Sequence, residues 1–185
     1  MKHIISFVQN HILILVLLTS TMSAQTLFDS ETNPHSKKWY IIDDVVMGGR
    51  SNGQFALTAA GHAKFFGNVS LENNGGFSSV RYVIPKTEVH PNQIIRIQLK
   101  GDGSTYQFRV KNHRGQYYSY ITKFETSGEW QTKEFQLKDL YPTFRGRRLD
   151  LPNFNHHTIE EVTFLIVNKV AQQFELFVSK IELLN

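Results

Sequence analysis

Polar side chains that could bind a ligand or carry out chemistry are concentrated in three glycine-rich stretches, residues 43–51, 67–81 and 101–103. Glycine lets a backbone adopt positive φ and approach a ligand closely, and polar loop residues on a rigid scaffold commonly form recognition surfaces. The same composition fits three tight turns whose Asn and Asp side chains hydrogen-bond their own backbone. Both interpretations remain open at this level. The candidate binding residues are Asp43, Asp44, Arg50, Asn68, Asn73, Asn74, Arg81 and Asp102.

The carboxylates of these stretches do not form a recognisable catalytic pair. Asp43 and Asp44 are adjacent, and adjacent side chains on a strand point to opposite faces. Glycoside hydrolysis needs two carboxyl groups that flank one bond, so a partner such as Glu72 or Asp102 would be required. The sequence also lacks a phosphate-binding glycine loop, a Gly-x-Ser-x-Gly elbow and a His-Glu-x-x-His motif. We therefore predict that the protein is not an enzyme.

Metal and cofactor motifs are equally absent from the sequence. His156 and His157 are adjacent, which is the wrong spacing for two ligands of one zinc ion. There is no cysteine, so disulfides and thiolate metal sites are excluded. Several oxygen-bearing side chains could serve a calcium ion, although no EF-hand spacing supports this. They are Asp43, Asp44, Asn73 and Asp102. We predict no metal and no cofactor, and leave a structural calcium ion open.

The charge pattern does not favour nucleic acid as a partner. The net charge is +4, from 20 Lys and Arg against 16 Asp and Glu. The densest basic cluster is Arg145, Arg147 and Arg148. A nucleic-acid surface needs a broader basic stripe than this, so we predict that the protein does not bind nucleic acid.

The first 24 residues have the layout of an export signal. Lys2 and His3 give a weakly basic start, residues 12–18 are an unbroken apolar run, and residues 19–24 are mostly small or polar. The run is shorter than a membrane-spanning helix requires. We expect residues 1–24 to be a signal peptide and residues 25–185 to form one exported domain, periplasmic or extracellular. Membrane association would then require an uncleaved N-terminal segment.

The remaining chain has the pattern of an all-β protein. Short segments of alternating apolar and polar residues recur between glycine, asparagine and proline, which predicts a β-sandwich or jelly roll. Segments 95–99 and 106–110, separated by 101–103, predict a hairpin. Trp39 and Trp130 each begin an alternating segment and are predicted to lie in the core. Further strands are predicted at residues 54–57, 63–66, 79–84, 117–124, 131–137, 162–167 and 174–183.

Two long stretches resemble signatures of a known family. Residues 39–51 read WYIIDDVVMGGRS, and residues 66–77 read FGNVSLENNGGF. Both resemble the complex I intermediate-associated protein 30 family. Further matching segments extend the resemblance over nearly all of the chain after residue 24. They are Arg81, Gly101–Gly103 with Tyr106, residues 124–126, Trp130, residues 144–147 and residues 174–176.

The resemblance implies a galactose-binding-like β-sandwich with no catalytic residues. The mitochondrial members of this family are assembly factors with chaperone-like binding to subunits of NADH:ubiquinone oxidoreductase, and the fold is shared with carbohydrate-binding modules. The resemblance therefore implies a protein partner, such as a subunit of respiratory complex I. The alternative is an exported carbohydrate-binding module with a glycan as ligand.

The export signal gives the first testable prediction. Ser23 and Ala24 offer the small residues that signal peptidases require. We expect mass spectrometry of the mature protein to find an N-terminus at Ala24 or Gln25. An intact Met1 on protein recovered from its native cell would contradict both the signal peptide and export.

Overall fold

The computed structural model describes residues 24–32 and 38–185. Apart from Ala24, the predicted signal peptide lies outside the described residues. Within the described ranges, no helix is long and apolar enough to span a membrane.

The described residues form two antiparallel sheets, which confirms the predicted all-β sandwich of jelly-roll, galactose-binding-like type. The strands are β1 (Ala24–Asp29), β2 (Trp39–Asp43), β3 (Asn52–Leu57), β4 (Ala63–Val69), β5 (Ser78–Glu88), β6 (Ile94–Gly101), β7 (Thr105–Lys111), β8 (Ser119–Glu125), β9 (Gln131–Gln136), β10 (Tyr141–Phe144), β11 (Arg147–Arg148), β12 (Thr158–Ile166) and β13 (Gln172–Leu184). One sheet has six strands in the order β3-β4-β13-β6-β9, with β1 beside the second half of β13. The other has seven, in the order β11-β10-β8-β7-β12-β5-β2.

Apolar side chains from the two sheets meet in one core. They include Ile97 of β6 and Phe108 of β7, both fully buried, with Phe164 of β12 and Leu176 of β13 beside them. Side chains alternate across a strand, so the longer strands give roughly every second residue to this core. Burial of apolar area at about 25 cal/mol per Å² is the main stabilising contribution. The alternating pattern in the sequence therefore located nine of the thirteen described strands, whereas β1, β2, β10 and β11 were not predicted.

The predicted hairpin between residues 95–99 and 106–110 is wrong, although both segments are strands. β6 pairs with β13 and β9, whereas β7 pairs with β12 and β8, in the other sheet. Residues 102–104 carry the chain from one sheet to the other. Alternation indicates that one face of a strand is buried but not which strand lies beside it. Here the two apolar faces pack against each other across the core.

The two tryptophans have different environments. Trp39 is 7% exposed and stacks on Phe55 with ring centroids 5.3 Å apart, so its predicted core position is confirmed. Trp130 is 47% exposed, so that prediction is wrong. It precedes β9, the edge strand of its sheet. Among the described aromatic residues its ring contacts His62 in a T-shaped arrangement, with ring centroids 4.8 Å apart. An edge position leaves one side of the indole without a covering strand.

A buried carboxylate, Asp44, ties together the loops at one edge of the sandwich. It is fully buried and follows β2 directly. Its Oδ1 accepts the Ser51 N–H at 2.9 Å, and its Oδ2 accepts the Ser51 hydroxyl at 2.5 Å. The same Oδ2 accepts the backbone N–H groups of Gly76 and Phe77 at 2.6 and 3.1 Å. Because Ser51 precedes β3 and Phe77 precedes β5, this carboxylate connects the two sheets.

These hydrogen bonds set the protonation state of Asp44. Burial alone raises the pKa of Asp44, but the hydrogen bonds from Ser51, Gly76 and Phe77 outweigh burial and hold that pKa below the ordinary carboxyl value of 3.8. The folded state therefore favours the charged carboxylate. A carboxyl group whose pKa is lower in the folded state than in the unfolded state stabilises the protein at pH values above the unfolded-state pKa. This stability is lost as the pH falls through the folded value.

Two glycines make room for the same carboxylate. A Cβ at Gly49 would overlap the carboxylate of Asp44. Gly76 has φ of +130°, a conformation that residues with a Cβ rarely adopt, and its N–H is one of the donors to Asp44. The glycine-rich composition of these loops therefore has a structural cause.

Substitution of Asp44 should destabilise the whole domain. Asp44→Ala leaves buried donors of Ser51, Gly76 and Phe77 without an acceptor, at about 1–3 kcal/mol for each unsatisfied group. We expect the free energy of unfolding, measured by urea denaturation, to fall by at least about 3 kcal/mol. The matched control is Glu72→Ala in the same loops, where the carboxylate is exposed and the expected change is within about 0.5 kcal/mol.

The pH dependence provides an independent check of that assignment. The stability difference between wild type and Asp44→Ala should be constant at neutral pH and shrink as the pH falls below 3.8. A difference that does not change with pH would show that the charge of Asp44 contributes nothing.

Neighbouring glycines should differ in their tolerance of alanine. Gly48 has φ of +89° and open space where a Cβ would lie, so Gly48→Ala should cost only the backbone strain of about 1–2 kcal/mol. Gly49→Ala must displace Asp44 from its donors and should lower the free energy of unfolding by more than Gly48→Ala does. Equal effects in denaturant titrations would rule out this steric role of Asp44.

Candidate functional site

A cleft of about 370 Å³ lies on the outer face of the seven-stranded sheet. Residues that lie opposite one another on neighbouring strands form a row across this face of the sheet. The row is Tyr40, Arg81, Thr163, Arg109, Ile121 and Tyr141, one residue each from β2, β5, β12, β7, β8 and β10. The three central residues of the row, Arg81, Thr163 and Arg109, line the cleft itself. The sheet register therefore fixes the spacing of the two arginines, one on each side of Thr163.

The walls of the cleft are largely apolar and exposed. On one side stands the 3₁₀ turn Asp44–Met47, where Val46 is 71% exposed and Met47 is 58% exposed. On the other side stand Tyr117 and Phe144, 64% and 37% exposed, with ring centroids 5.2 Å apart. Asp44, whose carboxylate ties the loops together, is therefore also the first residue of one wall.

A tight hairpin completes the aromatic wall. β10 and β11 are joined by two residues, Arg145 and Gly146, with φ of 48° and 77°. Positive φ at both positions is typical of the type I′ turn that suits a two-residue hairpin. The Arg145 guanidinium lies 5.2 Å from the centre of the Phe144 ring. This contact places a positive charge at the rim of the cleft.

A buried carboxylate, Glu161 of β12, balances part of the positive charge at the floor. Glu161 is 2% exposed, and its Oε2 accepts the Tyr40 hydroxyl at 2.7 Å. Its Oε1 lies 3.7 Å from Arg81 Nη1 and 3.9 Å from Lys111 Nζ. Burial raises the pKa of Tyr40, and the hydrogen bond to Glu161 raises it further. Burial lowers the pKa of Lys111, an effect that the charge of Glu161 opposes.

Arg109 lies beside this cluster but has no carboxylate partner. Its Nε and Nη2 both donate to Gln107 Oε1, at 3.0 and 2.6 Å. In the part of the chain that the structure describes, none of the salt bridges includes Arg109. Burial lowers the pKa of Arg109 to about 10, and the nearby charge of Arg81 contributes to this shift. The guanidinium is thus held rigidly by a neutral amide.

The cleft continues beyond Arg109 across the sheet. A second hollow of about 350 Å³ shares Arg109, Gln107, Thr143 and Gly146 with the cleft and extends towards Arg148. Together the two form an elongated site with Arg109 between them. The described residues that line them include no Asp, Glu or His. The floor therefore offers hydrogen-bond donors and positive charge.

The residues predicted as binding candidates do not form one site. Five of them lie in the loops that Asp44 ties together, namely Asp43, Asp44, Arg50, Asn73 and Asn74. Asp43 accepts hydrogen bonds from Gly53 N–H and the Ser78 hydroxyl, at 2.9 and 2.5 Å. Arg50 pairs with Glu72 at 3.0 Å on the open surface. Asn73 and Asn74 are exposed with φ of 56° and 59°, as turn residues often are.

The other three predicted residues lie elsewhere. Asn68 and Asp102 line a shallow hollow on the outer face of the six-stranded sheet. Asp102 also caps its own turn, because it accepts the N–H of Ser104 at 2.9 Å and that of Glu175 at 3.0 Å. Arg81 is the one predicted candidate that lines the cleft.

Sequence reasoning missed the floor of the cleft. Gln107, Arg109 and Lys111 alternate with apolar residues, a pattern that predicts the solvated face of a strand. That face is outward, as expected, but the walls half-bury it, and Gln107 is only 8% exposed. Glu161 offered a signal, since it is a charged residue at the start of an otherwise apolar run, residues 162–167.

A larger hollow, of about 540 Å³, lies beside Trp130 on the other side of the molecule. Its lysine, Lys180, is paired with Asp29 at 3.8 Å and Glu182 at 2.8 Å. The lysine of that hollow is thus paired with carboxylates of the protein itself, in contrast to Arg109. The cleft on the seven-stranded sheet is therefore the candidate functional site.

Structures of similar fold include carbohydrate-binding modules. The family 11 module from Clostridium thermocellum, solved in complex with a β-1,3-1,4-mixed-linked tetrasaccharide, aligns with a TM-score of 0.65 at 15% identity, over 89% of this chain and 96% of that chain. The family 11 module of the C. thermocellum cellulase Lic26A-Cel5E gives 0.66 at 14% identity, over 89% and 95%. A mutant family 29 module gives 0.53 at 8% identity, over 89% and 87%. At these identities the similarity establishes the fold alone.

Sequence comparison identifies the family. No curated protein sequence matches the chain significantly. The family described as complex I intermediate-associated protein 30 matches residues 27–178, which include both glycine-rich signatures and nearly every strand. This confirms the resemblance carried by those signatures, and the chain belongs to the complex I intermediate-associated protein 30 family.

Proposed function

We propose that the protein is an exported, non-catalytic binding protein whose cleft on the seven-stranded sheet holds an extended segment of a partner protein. The observation that carries the proposal is the cleft itself, with exposed apolar walls around a floor of hydrogen-bond donors. Its continuation across the sheet past Arg109 suits a ligand longer than a single small molecule.

The apolar walls favour a protein ligand. Val46, Met47 and Tyr117 are each more than half exposed, on opposite sides of one cleft. Exposed apolar residues gathered around a polar floor are typical of protein interaction sites, and aromatic residues and methionine are enriched in such interfaces. Covering these side chains with apolar residues of a partner would remove their surface from water.

The composition of the cleft favours binding over catalysis. Its lining includes the hydroxyl groups of Ser79, Ser119, Thr143 and Thr163, each of which would need a neighbouring base to act as a nucleophile. Among the described residues that line it, no His, Asp or Glu is present to act as that base. The floor can therefore orient a ligand through hydrogen bonds without an evident means of breaking a bond in it.

Family membership supports a respiratory partner. The family is described by its association with intermediates of complex I. The chain thus resembles assembly factors with chaperone-like binding to subunits of that complex. We propose a subunit or assembly intermediate of a membrane-bound respiratory complex as the partner. From the predicted signal peptide we propose that the encounter takes place in the periplasm or outside the cell.

A glycan is the second candidate ligand. The aromatic pair Tyr117 and Phe144 stands beside a polar floor, and aromatic rings are suitable surfaces for sugar rings. The fold is that of carbohydrate-binding modules, one of which was solved with a mixed-linked tetrasaccharide. A glycan would use Tyr117 and Phe144 and would leave the aliphatic wall at Val46 and Met47 largely uncovered.

Site-specific photo-crosslinking can test whether the cleft binds protein. We expect a photoreactive amino acid at Met47 or Tyr117 to form crosslinks to one partner protein in intact cells. The same amino acid at Arg96, on the outer face of the six-stranded sheet, should not. We also expect Tyr117→Ala to weaken binding of the isolated partner at least about tenfold, because buried aromatic residues dominate interface energies.

Two results would contradict the proposal. Crosslinks to the same proteins from Arg96 would mean that the cleft has no special role. Saturable binding on a glycan array that Tyr117→Ala abolishes, with no protein crosslink from Met47, would favour the carbohydrate-binding alternative.

A further inference from the structure

We infer that Arg109 binds an acidic side chain of the partner segment, so that the cleft selects an Asp or Glu flanked by apolar residues. This inference rests on the proposed function and adds the chemistry of the ligand. It follows from the positions of the charges at the floor, the orientation of the guanidinium and the apolar walls on both sides.

The charges of the cleft are unbalanced. Four cationic side chains line it, Arg81, Arg109, Lys111 and Arg145, and no carboxylate is present among the described lining residues. Glu161 lies on the same face of the sheet as Thr163, opposite Lys111, and is 2% exposed. Arg81, Lys111 and the Tyr40 hydroxyl share its two oxygens. One carboxylate thus serves two cations and leaves Arg109 uncompensated. A half-buried charge without a partner is costly, and a ligand carboxylate would relieve that cost.

The guanidinium of Arg109 is already oriented for a ligand. A guanidinium has five N–H donors in a planar fork, and Gln107 Oε1 accepts two of them. The remaining donors have no acceptor among the described residues. Because Gln107 is itself 8% exposed, a buried partner holds the fork in this orientation without a ligand. Planar carboxylates match this fork and can accept two parallel hydrogen bonds from it.

The environment of Arg109 agrees with this role. Burial, together with the charge of Arg81, lowers the pKa of Arg109 to about 10, which is still well above neutral pH. The side chain is therefore charged under physiological conditions, in surroundings that disfavour its charge. Screening by salt is weaker for partly buried pairs than for exposed ones, so a carboxylate seated here would remain bound at physiological ionic strength.

The walls favour a peptide over other anionic ligands. A neutral sugar has no charge to give to Arg109, and an acidic sugar would satisfy Arg109 but not the aliphatic wall at Val46 and Met47. An acidic side chain between apolar residues satisfies both at once. The occupant that fits the charge and the walls is therefore an acidic-apolar segment of a protein.

Selection from a displayed random-peptide library can test this inference. The full mature protein is used as bait, beside Arg109→Gln and a control, Arg96→Gln. Arg96 is on the other sheet and pairs with Glu134 on the surface, so its replacement changes the net charge equally. We expect the wild type and Arg96→Gln to enrich peptides with one Asp or Glu between apolar residues. We expect Arg109→Gln to lose that preference.

Affinities of an enriched peptide give the magnitude. Replacing its acidic residue by the matching amide should weaken binding to the wild type roughly ten- to a hundredfold, the range for a hydrogen bond to a charged group. The same replacement should change binding to Arg109→Gln by much less. This coupling is a readout that simple unfolding of the variant would not reproduce, and thermal melting of both variants checks that they fold.

The contradicting outcomes separate this inference from the proposed function. Enrichment of peptides without an acidic residue, whose binding Tyr117→Ala abolishes, would contradict the binding of an acidic side chain at Arg109. It would leave the proposed protein-binding function of the cleft intact. Failure to enrich any peptide, with binding of polygalacturonate that depends on Arg109, would overturn the peptide as occupant. Binding of neither the peptides nor polygalacturonate would overturn both this inference and the proposed function.

Discussion

The carboxylate of Asp44 is the interaction on which the edge of the sandwich depends. One buried side chain receives hydrogen bonds from a loop that leads into the six-stranded sheet and from a loop that leads into the seven-stranded sheet. A charged acceptor makes each of these bonds stronger than a neutral one would be. Its position also sets where the apolar wall of Val46 and Met47 begins. Stability and the shape of the cleft therefore share a single cause.

A second buried carboxylate, Glu161, determines the electrostatics of the cleft. Without it, Arg81 and Lys111 would be adjacent uncompensated cations on a half-buried surface. With it, the floor still has three cations against one carboxylate, and Arg109 is the one that forms no salt bridge among the described residues, at a defined position in the sheet register. Rigid strands hold these charges more precisely than loops would, because each is fixed by ladder hydrogen bonds on both sides. Arg109 is thus a positive charge in a fixed position that has no carboxylate partner among the described residues.

The sequence predicted most of the strands because burial of one face requires an apolar residue at every second position. Alternating apolar residues located β6 and β7, but each could have paired with any strand of suitable pattern. The hairpin prediction was wrong because the turn at Asp102 crosses between sheets. Trp130 was misplaced for a related reason, since an edge position is a property of strand order. Arg109 was missed because its half-burial arises from walls that are distant in sequence.

The family signatures contain much of the walls of the candidate site but little of its charged floor, and this division limits what membership implies. Asp44, Gly49 and Gly76 belong to the signatures, and their contacts are with one another. Apart from Arg81, the charged floor lies on strands outside them, at Arg109, Lys111 and Glu161. Substitutions at Arg109 or Lys111 could change the ligand while the loops and the sandwich stayed intact, because these side chains project from the outer face of the sheet and are not part of the apolar core. Members of one family could thus share the fold and its structural carboxylate while binding different partners.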